Sequence, residues 1–368
     1  MKSRLLLRLE AEIKACKDPF EVDCLRAERA CYLARIGEVD EATAVVADLH
    51  RKYGHRQAAI AVWSSLVEAM VSHFSDMGPL AHDRIRRAHA LSTATGLTRL
   101  QALSAAWLAH MCYLRTDMAA MKAHLVQALA LARPEDHTTL ARANLVVAQA
   151  LHAAARLDLA LPWYSRARVH ASKEGDDASI SALMHNMAWL RATNMRQAVF
   201  CRATEVNEEV HALTSAESTL HFDLLVGSTS LGSLVPLLRA QILSLESKPS
   251  EALEIYEQYL VAAIRQGMGR LESSLLADQA WCRVQLGQND DALSDARAAE
   301  ARLDPVSHAD DRAPAHSRLS QVFEMLGLSV DAKKHADQAG AAWLDHTQLQ
   351  AEIIKLVGPL REDGTSKE

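Results

Sequence analysis

The sequence predicts an all-α fold, a right-handed superhelical solenoid of about eight tandem antiparallel helix hairpins. Two patterns predict it: a turn that recurs between amphipathic segments, and a small residue that recurs about every forty positions. The composition agrees, because 49% of the 368 residues are hydrophobic but only 5% are aromatic. Chains rich in alanine and leucine favour closely packed helices, whereas sheets use more aromatic and β-branched residues.

The recurring turn separates two segments with helical spacing of apolar residues. It reads QLGQNDDA at 285–292, MLGLSVDA at 325–332 and RIGEVDEA at 35–42, with a weaker copy, KPSEALEIY, at 248–256. Glycine suits the left-handed position that ends a helix, and the dipole of the next helix stabilises acidic residues at its start. The alanine that follows is small enough to let two helices approach closely. Each copy therefore predicts a helix–turn–helix hairpin.

The alanine of this turn locates weaker copies of the repeat. The equivalent positions are separated by 39, 40, 39, 38, 54, 40 and 40 residues, so six of the seven intervals agree to within two residues. These positions are Ala42, Ala81, Met121, Ala160, Ala198, Ala252, Ala292 and Ala332. Such a period predicts stacked repeats, each of which buries its apolar face against its neighbours.

The turn resembles that of the tetratricopeptide repeat, in which Leu-Gly is followed by an apolar or aromatic residue and then by Glu-Ala. The period exceeds the roughly 34 residues typical of that family. Longer repeats of this kind look like the solenoid region of MalT-type transcription activators and of some bacterial peptide-receptor regulators. The resemblance covers residues 18–342 and lacks the nucleotide-binding and DNA-binding modules of the MalT class. It implies a superhelix that binds another protein or a peptide.

The repeat positions divide the chain into consecutive segments. These are an N-terminal helix (1–17), five repeats (18–205), an irregular segment (206–230), three repeats (231–340), a capping helix (341–360) and a disordered tail (361–368). The irregular segment is interpreted as longer helices, as a loop that contacts a partner, or as a hinge within the solenoid.

Composition and charge favour a soluble, cytoplasmic protein. The net charge of −6 gives no general attraction to nucleic acid or to anionic membranes. No apolar stretch reaches the roughly 20 residues of a membrane span, and the N-terminus lacks the apolar core of a signal peptide. The six cysteines form no CxxC pair and are interpreted as reduced, buried thiols. The excess of arginine over lysine indicates a bacterial source.

No specific signature of catalysis appears, so an enzyme is not predicted. The GMG sequence at 267–269 has no strand before it, which a phosphate-binding loop requires. His308, Asp310 and Asp311 have side chains that ligate metals, but a solvated polar turn is the favoured interpretation of this segment. We therefore predict neither a cofactor nor a metal.

The first helix of each hairpin lines the inner surface of such a solenoid. Projection from the repeat positions gives two neighbouring columns, which mix Met, Trp, Tyr, His, Gln and Arg. Met and aromatic side chains adapt to varied apolar partners, and Arg and Gln bond a peptide backbone. The alternative is that individual members pack against the next hairpin. The candidate peptide-binding residues are Arg35, Met70, His73, His110, Tyr113, Gln149, His152, Met187, Arg191, Gln241, Trp281, Gln285 and Gln321.

The predicted function is an intracellular protein–protein interaction or regulatory adaptor that binds a peptide or helix of a partner in the concave groove. A more specific version is a regulator that acts as a receptor for a signalling peptide. The alternative of another class is a helical-repeat nucleic-acid-binding protein, which the acidic charge disfavours. The lysine and asparagine set that clamps a chaperone's C-terminal carboxylate is absent, so a chaperone-tail clamp is not expected.

Overall fold

The computed structural model describes residues 3–54, 56–78, 80–201, 209–226, 232–305, 307–361 and 365, with side chains except at 76, 209–212 and 215. The regular elements of these residues are helices. The first helix, α1, spans Arg4–Ala15, and eight hairpins follow it. The prediction of an all-α helical solenoid is confirmed.

The first five hairpins form the first half of the molecule. They are α2 (Pro19–Ile36) with α3 (Val39–Tyr53), α4 (Ala58–Asp76) with α5 (Leu80–Ala94), α6 (Thr98–Leu114) with α7 (Met118–Leu131), α8 (His137–Ala153) with α9 (Leu157–Glu174), and α10 (Asp177–Phe200) with α11 (Glu209–Val226).

The last three hairpins form the second half. They are α12 (Leu234–Leu245) with α13 (Pro249–Arg265), α14 (Glu272–Gln285) with α15 (Asn289–Ala301), and α16 (Ala309–Met325) with α17 (Ser329–Val357). A short 3-10 turn, Met268–Leu271, connects α13 to α14.

Glycine in the left-handed conformation ends the first helix of three hairpins, as the turn pattern predicts. The φ angles are +98° at Gly37, +75° at Gly287 and +75° at Gly327. Four turns that lack this glycine place another residue in the same conformation; these residues are Met77, Thr116, Ala155 and Ser247. That conformation costs a non-glycine residue roughly 1–2 kcal/mol. Packing of the repeats therefore outweighs the local preference at these turns.

The repeat positions lie in the first turn of the second helices, with one exception. Ala198 lies instead near the C-terminal end of α10, because α10 continues as one helix from Asp177 to Phe200. Helix α11 begins at Glu209, so Ala212 is the equivalent position, 40 residues before Ala252. The long interval of the repeat therefore lies before Ala212, and the interval from Ala212 to Ala252 has the regular length. Of the segment 206–230, residues 206–208 and 227–230 lie outside the described residues.

The long helix α10 joins the two halves. Its Arg196 lies 2.9 Å from Asp278 of α14, which also accepts a hydrogen bond at 3.0 Å from Arg318 of α16. The Arg318 guanidinium lies 5.0 Å from the ring of Phe200, the last residue of α10. Helix α10 also contacts α12. Its C-terminal end therefore packs against the first helices of all three second-half hairpins.

Both ends of the chain pack on distant parts of the molecule. The backbone N–H of Leu5 donates to the carbonyl of Gly175 at 3.1 Å, which attaches α1 to the turn before α10. Helix α17 is continuous, so the predicted boundary at residue 341 falls inside it. Its C-terminal part contacts α7 and α8, where Ile353 and Val357 join their apolar cluster. The predicted tail at 361–368 lies mostly outside the described residues.

The polar turn predicted around His308 is wrong. The segment is the start of α16, with His308 at its N-cap position. Asp311 is buried, and its carboxylate lies 3.0 Å from the Arg270 guanidinium. The segment is therefore the start of a helix that an ion pair connects to the 3-10 turn carrying Arg270.

The cysteines and the most apolar helix also refine the sequence predictions. Cys112 and Cys282 are buried, whereas Cys201, directly after α10, is exposed, and the other three are half-buried. Within α4, Ala58–Ser75 has the length and the mean hydropathy, 1.2, of a membrane span. More than half of this stretch, 56%, is buried inside the protein. Such burial is typical of a core helix packed against its neighbours.

Candidate functional site

A cavity of about 540 Å³, which we call the central cavity, lies between the two halves of the solenoid. Helices α2, α4, α6, α8 and α10 supply most of one side. The opposite side comes mainly from the 3-10 turn, the start of α16 and the C-terminal part of α17. This side is in place because α17 packs back on α7 and α8.

Five of the residues predicted to bind a peptide line the central cavity. They are Arg35, His73, His110, Tyr113 and Gln149. They belong to α2, α4, α6 and α8, the consecutive first helices of four hairpins. Met70 lies elsewhere: it is buried at the edge of a second cavity in the first half, which Arg35 also lines.

Seven other predicted residues line neither cavity. These are His152, Met187, Arg191, Gln241, Trp281, Gln285 and Gln321. His152 and Gln241 are buried. Met187 packs against the apolar cluster of α7 and α8, and Arg191 is half-buried on α10. Gln285 is exposed.

Packing explains where the second-half members of this set lie. The Arg318 guanidinium lies 4.9 Å from the ring of Trp281, and its Nη1 donates to Gln321 Oε1 at 3.0 Å. Arg318 in turn contacts the end of α10. In the second half, the predicted column therefore packs toward the end of α10. The column residues that line the central cavity come from the first half.

Two buried arginines flank the indole ring of Trp107 between the cavities. The Arg142 guanidinium lies 3.8 Å from the ring centroid and the Arg35 guanidinium 5.8 Å from it. Only 3% of Arg142 and 6% of Arg35 are exposed. Cations at these distances are attracted to the electron-rich ring face. Trp107 thus holds both cations at the wall of the central cavity.

Arg35 is neutralised by Asp176 of the fifth hairpin. Nη1 of Arg35 donates to Oδ2 at 2.8 Å, and Nη2 donates to Oδ1 at 3.1 Å. Asp176 also caps α10 by accepting from the backbone N–H of Ser179 at 2.9 Å. Burial opposes ionisation, but Arg35 and Ser179 outweigh it and hold the pKa of Asp176 below its usual value. Both carboxylate oxygens are therefore engaged.

Arg142 has no such carboxylate among the described residues. Its Nε and Nη2 are buried without a hydrogen-bond partner. Burial, followed by the nearby charge of Arg35, lowers the pKa of Arg142 to about 9. The side chain is therefore still protonated at neutral pH, and the central cavity carries a buried cation to which the described residues supply no counter-ion.

Neutral polar groups lie beside this cation. Burial, and then Arg142, lowers the pKa of His73 to about 4 and that of His110 well below its usual value. The two imidazole rings meet edge to face at 5.6 Å. His110 Nδ1 and Gln149 Oε1 are buried, and no described residue forms a hydrogen bond with either atom. Buried polar atoms are normally paired, so these atoms are available to a bound ligand.

The opposite wall combines apolar and polar side chains of α17. Leu349 and Ile353 are apolar, whereas both ring nitrogens of His346 are buried and have no hydrogen-bond partner in the described ranges. Gln350 Nε2 donates to the backbone carbonyl of Ala153 at 2.9 Å, which fixes α17 over the end of α8. A ligand in the cavity would therefore contact both halves at once.

The charge of the cavity lining is opposite to that of the chain. Arginines 35, 115, 142 and 270 line it, whereas Asp310 is the single acidic residue that the described part of the chain contributes. The whole chain has a net charge of −6. Arg115 and Arg270 are exposed and Asp176 neutralises Arg35, so Arg142 is the buried source of the positive potential.

The second cavity, of about 470 Å³, lies within the first half, and we call it the N-terminal cavity. Two of its arginines form ion pairs with glutamates that also line it. Arg8 Nη2 lies 2.6 Å from Glu174 Oε1, and Arg99 Nη2 lies 2.7 Å from Glu28 Oε1. These ion pairs connect α1 and α6 to other helices of the first half, so the charges there hold the ring of hairpins together.

Within the described part of the chain, no group of three or more His, Cys, Asp or Glu side chains could hold a metal ion. The GMG sequence lies at the start of the 3-10 turn, where Gly267 has a φ of +89°. Gly267 and Met268 line the central cavity.

Sequence reasoning missed Arg142, Trp107, Asp176 and His346. Arg142 precedes Gln149 by seven residues, or about two helical turns, so a third column on the same helix face would have included it. The repeat spacing does not predict His346 as a cavity residue, because His346 reaches the cavity only where α17 folds back on α7 and α8. The pairing of Arg35 with Asp176 spans 141 residues and likewise leaves no local signal.

No protein-family model matches the sequence, and no curated protein matches it. Among solved structures, the fold is similar to the crystal structure of a Rap protein complexed with competence and sporulation factor. The TM-score is 0.53 at 12% sequence identity, and the match covers 90% of this chain and 100% of that chain. The chain has a TPR-like helical-repeat fold. At this identity the similarity concerns the fold, and membership of the MalT-like type stays a prediction.

Proposed function

We propose that this protein is a regulatory interaction adaptor that binds a short peptide segment of a partner in the central cavity. The observation that carries the proposal is the cavity itself. Its volume of about 540 Å³ lies within the roughly 300–1,000 Å³ of typical ligand sites. It combines apolar walls with buried polar atoms that have no hydrogen-bond partner among the described residues.

A receptor for a signalling peptide is the more specific form of this proposal. The similar Rap protein was crystallised in complex with competence and sporulation factor, so a protein of this fold binds a regulatory factor. In this chain, a peptide in the central cavity would contact α8 of the first half and α17 of the second half. Binding would therefore stabilise the contact between the two halves, which is a means of regulation.

Peptide selection with a cavity-filling variant tests this proposal. Random twelve-residue peptides displayed on phage are selected against the purified full chain, and the recovered peptides are synthesised with a fluorescent label. Their affinities are measured by fluorescence polarisation. Ala182 of α10 is half-buried and lines the central cavity. An Ala182→Trp variant should lose binding because the indole occupies the space of the ligand.

The matched control is Ala44→Trp, which adds the same side chain at an exposed position of α3. This variant should bind the peptides as the wild type does. Circular dichroism confirms that both variants remain helical. Recovery of no binding peptide, or equal binding by Ala182→Trp and the wild type, contradicts the proposal.

A further inference from the structure

The central cavity contains one positive charge for which the described residues offer no counter-ion. Arg142 is 3% exposed, and its Nε and Nη2 have no hydrogen-bond partner. A buried charge without a partner is costly, since removal from water is not compensated by attraction to an opposite charge. Arginines at such positions normally pair with a carboxylate or phosphate.

The residues nearest to Arg142 do not neutralise it. Asp176 uses both carboxylate oxygens on Arg35 and Ser179. His73 and His110 are neutral, since burial beside Arg142 lowers the pKa of both. Trp107 offers its ring face, which attracts a cation but carries no negative charge.

The neighbouring arginine shows what a complete site looks like in the same surroundings. Arg35 approaches the same indole ring and is equally buried, yet it holds a bidentate carboxylate. Arg142 differs from it in facing the central cavity without that carboxylate. The missing partner is therefore expected on the side from which a ligand enters.

We propose that the Arg142 guanidinium pairs with a carboxylate of the bound peptide, so that the protein selects peptides with an acidic group. This inference rests on the proposed peptide binding in the central cavity. The carboxylate is supplied by an Asp or Glu side chain or by the C-terminus of the peptide. Gln149 and His110 lie along the same wall and offer hydrogen bonds beside it.

The test uses pools of fluorescein-labelled octapeptides of random sequence. One pool contains Asp and Glu at the random positions, and the other replaces them with Asn and Gln. Each pool is made with a free and with an amidated C-terminus, which separates the two sources of the carboxylate. Fluorescence polarisation measures binding to the wild-type full chain, Arg142→Gln, Arg142→Lys and Arg168→Gln. Arg168 is an exposed residue of α9, in the same hairpin as Arg142.

The wild type is expected to bind the best carboxylate-containing pool about 30-fold or more tightly than the amidated Asn and Gln pool, which is the range for a buried charge pair. Arg142→Gln should remove this preference, Arg142→Lys should keep part of it, and Arg168→Gln should keep all of it. Loss of the preference on amidation assigns the C-terminus, and loss on the Asn and Gln exchange assigns a side chain.

Three results overturn the inference, and they are distinguishable. If all pools bind the wild type equally and Ala182→Trp blocks them, peptide binding stands but the carboxylate preference is wrong. If the preference persists in Arg142→Gln, another group supplies it and Arg142 is a structural residue. Failure of every pool to bind contradicts the inference together with the proposed function.

Discussion

The N-terminal cavity and the central cavity have similar volumes but use their charges differently. In the N-terminal cavity, Arg8 and Arg99 each have a glutamate partner within 2.7 Å. In the central cavity, Arg142 has none among the described residues. Paired charges hold the hairpins of the first half together, whereas an unpaired buried cation destabilises the unliganded protein. The comparison teaches that a buried charged side chain does not by itself indicate a binding site. A buried charge that lacks an ion-pair partner within the described residues does indicate one.

The largest effect is expected where the two cavities meet. Asp176→Asn removes the carboxylate that neutralises Arg35 and leaves two buried cations beside one indole ring. Breaking a buried pair costs about 3–5 kcal/mol in the free energy of unfolding. Urea denaturation measures this change. Asp158→Asn, at an exposed pair with Arg156, should leave the midpoint unchanged. A small effect of Asp176→Asn would mean that Arg35 needs no internal partner either.

Acid should destabilise the folded protein through protonation of His73, which lines the central cavity. Its pKa is about 4 in the folded protein and near 6.5 when unfolded. The folded state therefore binds this proton less tightly, so the stability present above pH 6.5 is lost as the pH falls toward 4. His73→Gln should reduce that loss by up to roughly 3 kcal/mol. Denaturation at several pH values measures it, and replacement of the exposed His221 should not change the profile.

Replacement of an arginine by methionine should change the stability of the protein in opposite directions in the two cavities. Arg8→Met leaves the buried carboxylate of Glu174 without its partner at 2.6 Å and should destabilise the protein by roughly 1–2 kcal/mol, since Arg8 itself is partly exposed. Arg142→Met removes an uncompensated cation and should stabilise it by about 1 kcal/mol, after loss of the contact with Trp107. Thermal unfolding of both variants decides the sign. Destabilisation by both would remove the distinction between the cavities.

The smallest effect separates stability from binding. Ala155 has a φ of +55° in the turn between α8 and α9, so Ala155→Gly should stabilise the protein by about 1 kcal/mol. Gly287→Ala should cost about the same, because an added Cβ has no neighbour within 4 Å and the cost is conformational. Thermal unfolding measures both. Peptide affinity should not follow these changes if the central cavity, rather than general stability, determines binding.

The sequence by itself determined the repeat. The signals of the repeat are local: the left-handed glycine at Gly287 and the buried alanines of the second helices. Each acts within one hairpin, so each can be recognised from a short stretch of sequence. They also placed His110 and Gln149 on the first helices of the hairpins that line the central cavity.

The tertiary structure decided which part of the column forms a site. Helix α10 continues without a break to Phe200, so its C-terminal end reaches the second half and packs near Trp281 through Arg318. Helix α17 folds back on α8 and supplies His346. The sequence predicted no partner charge for Arg35, and Arg142 stands out only once Asp176 is seen to be occupied. The contacts of Phe200 with Arg318 and of α17 with Ala153 join residues more than 100 positions apart. The free energy of bringing such distant segments together depends on the packing of every hairpin between them.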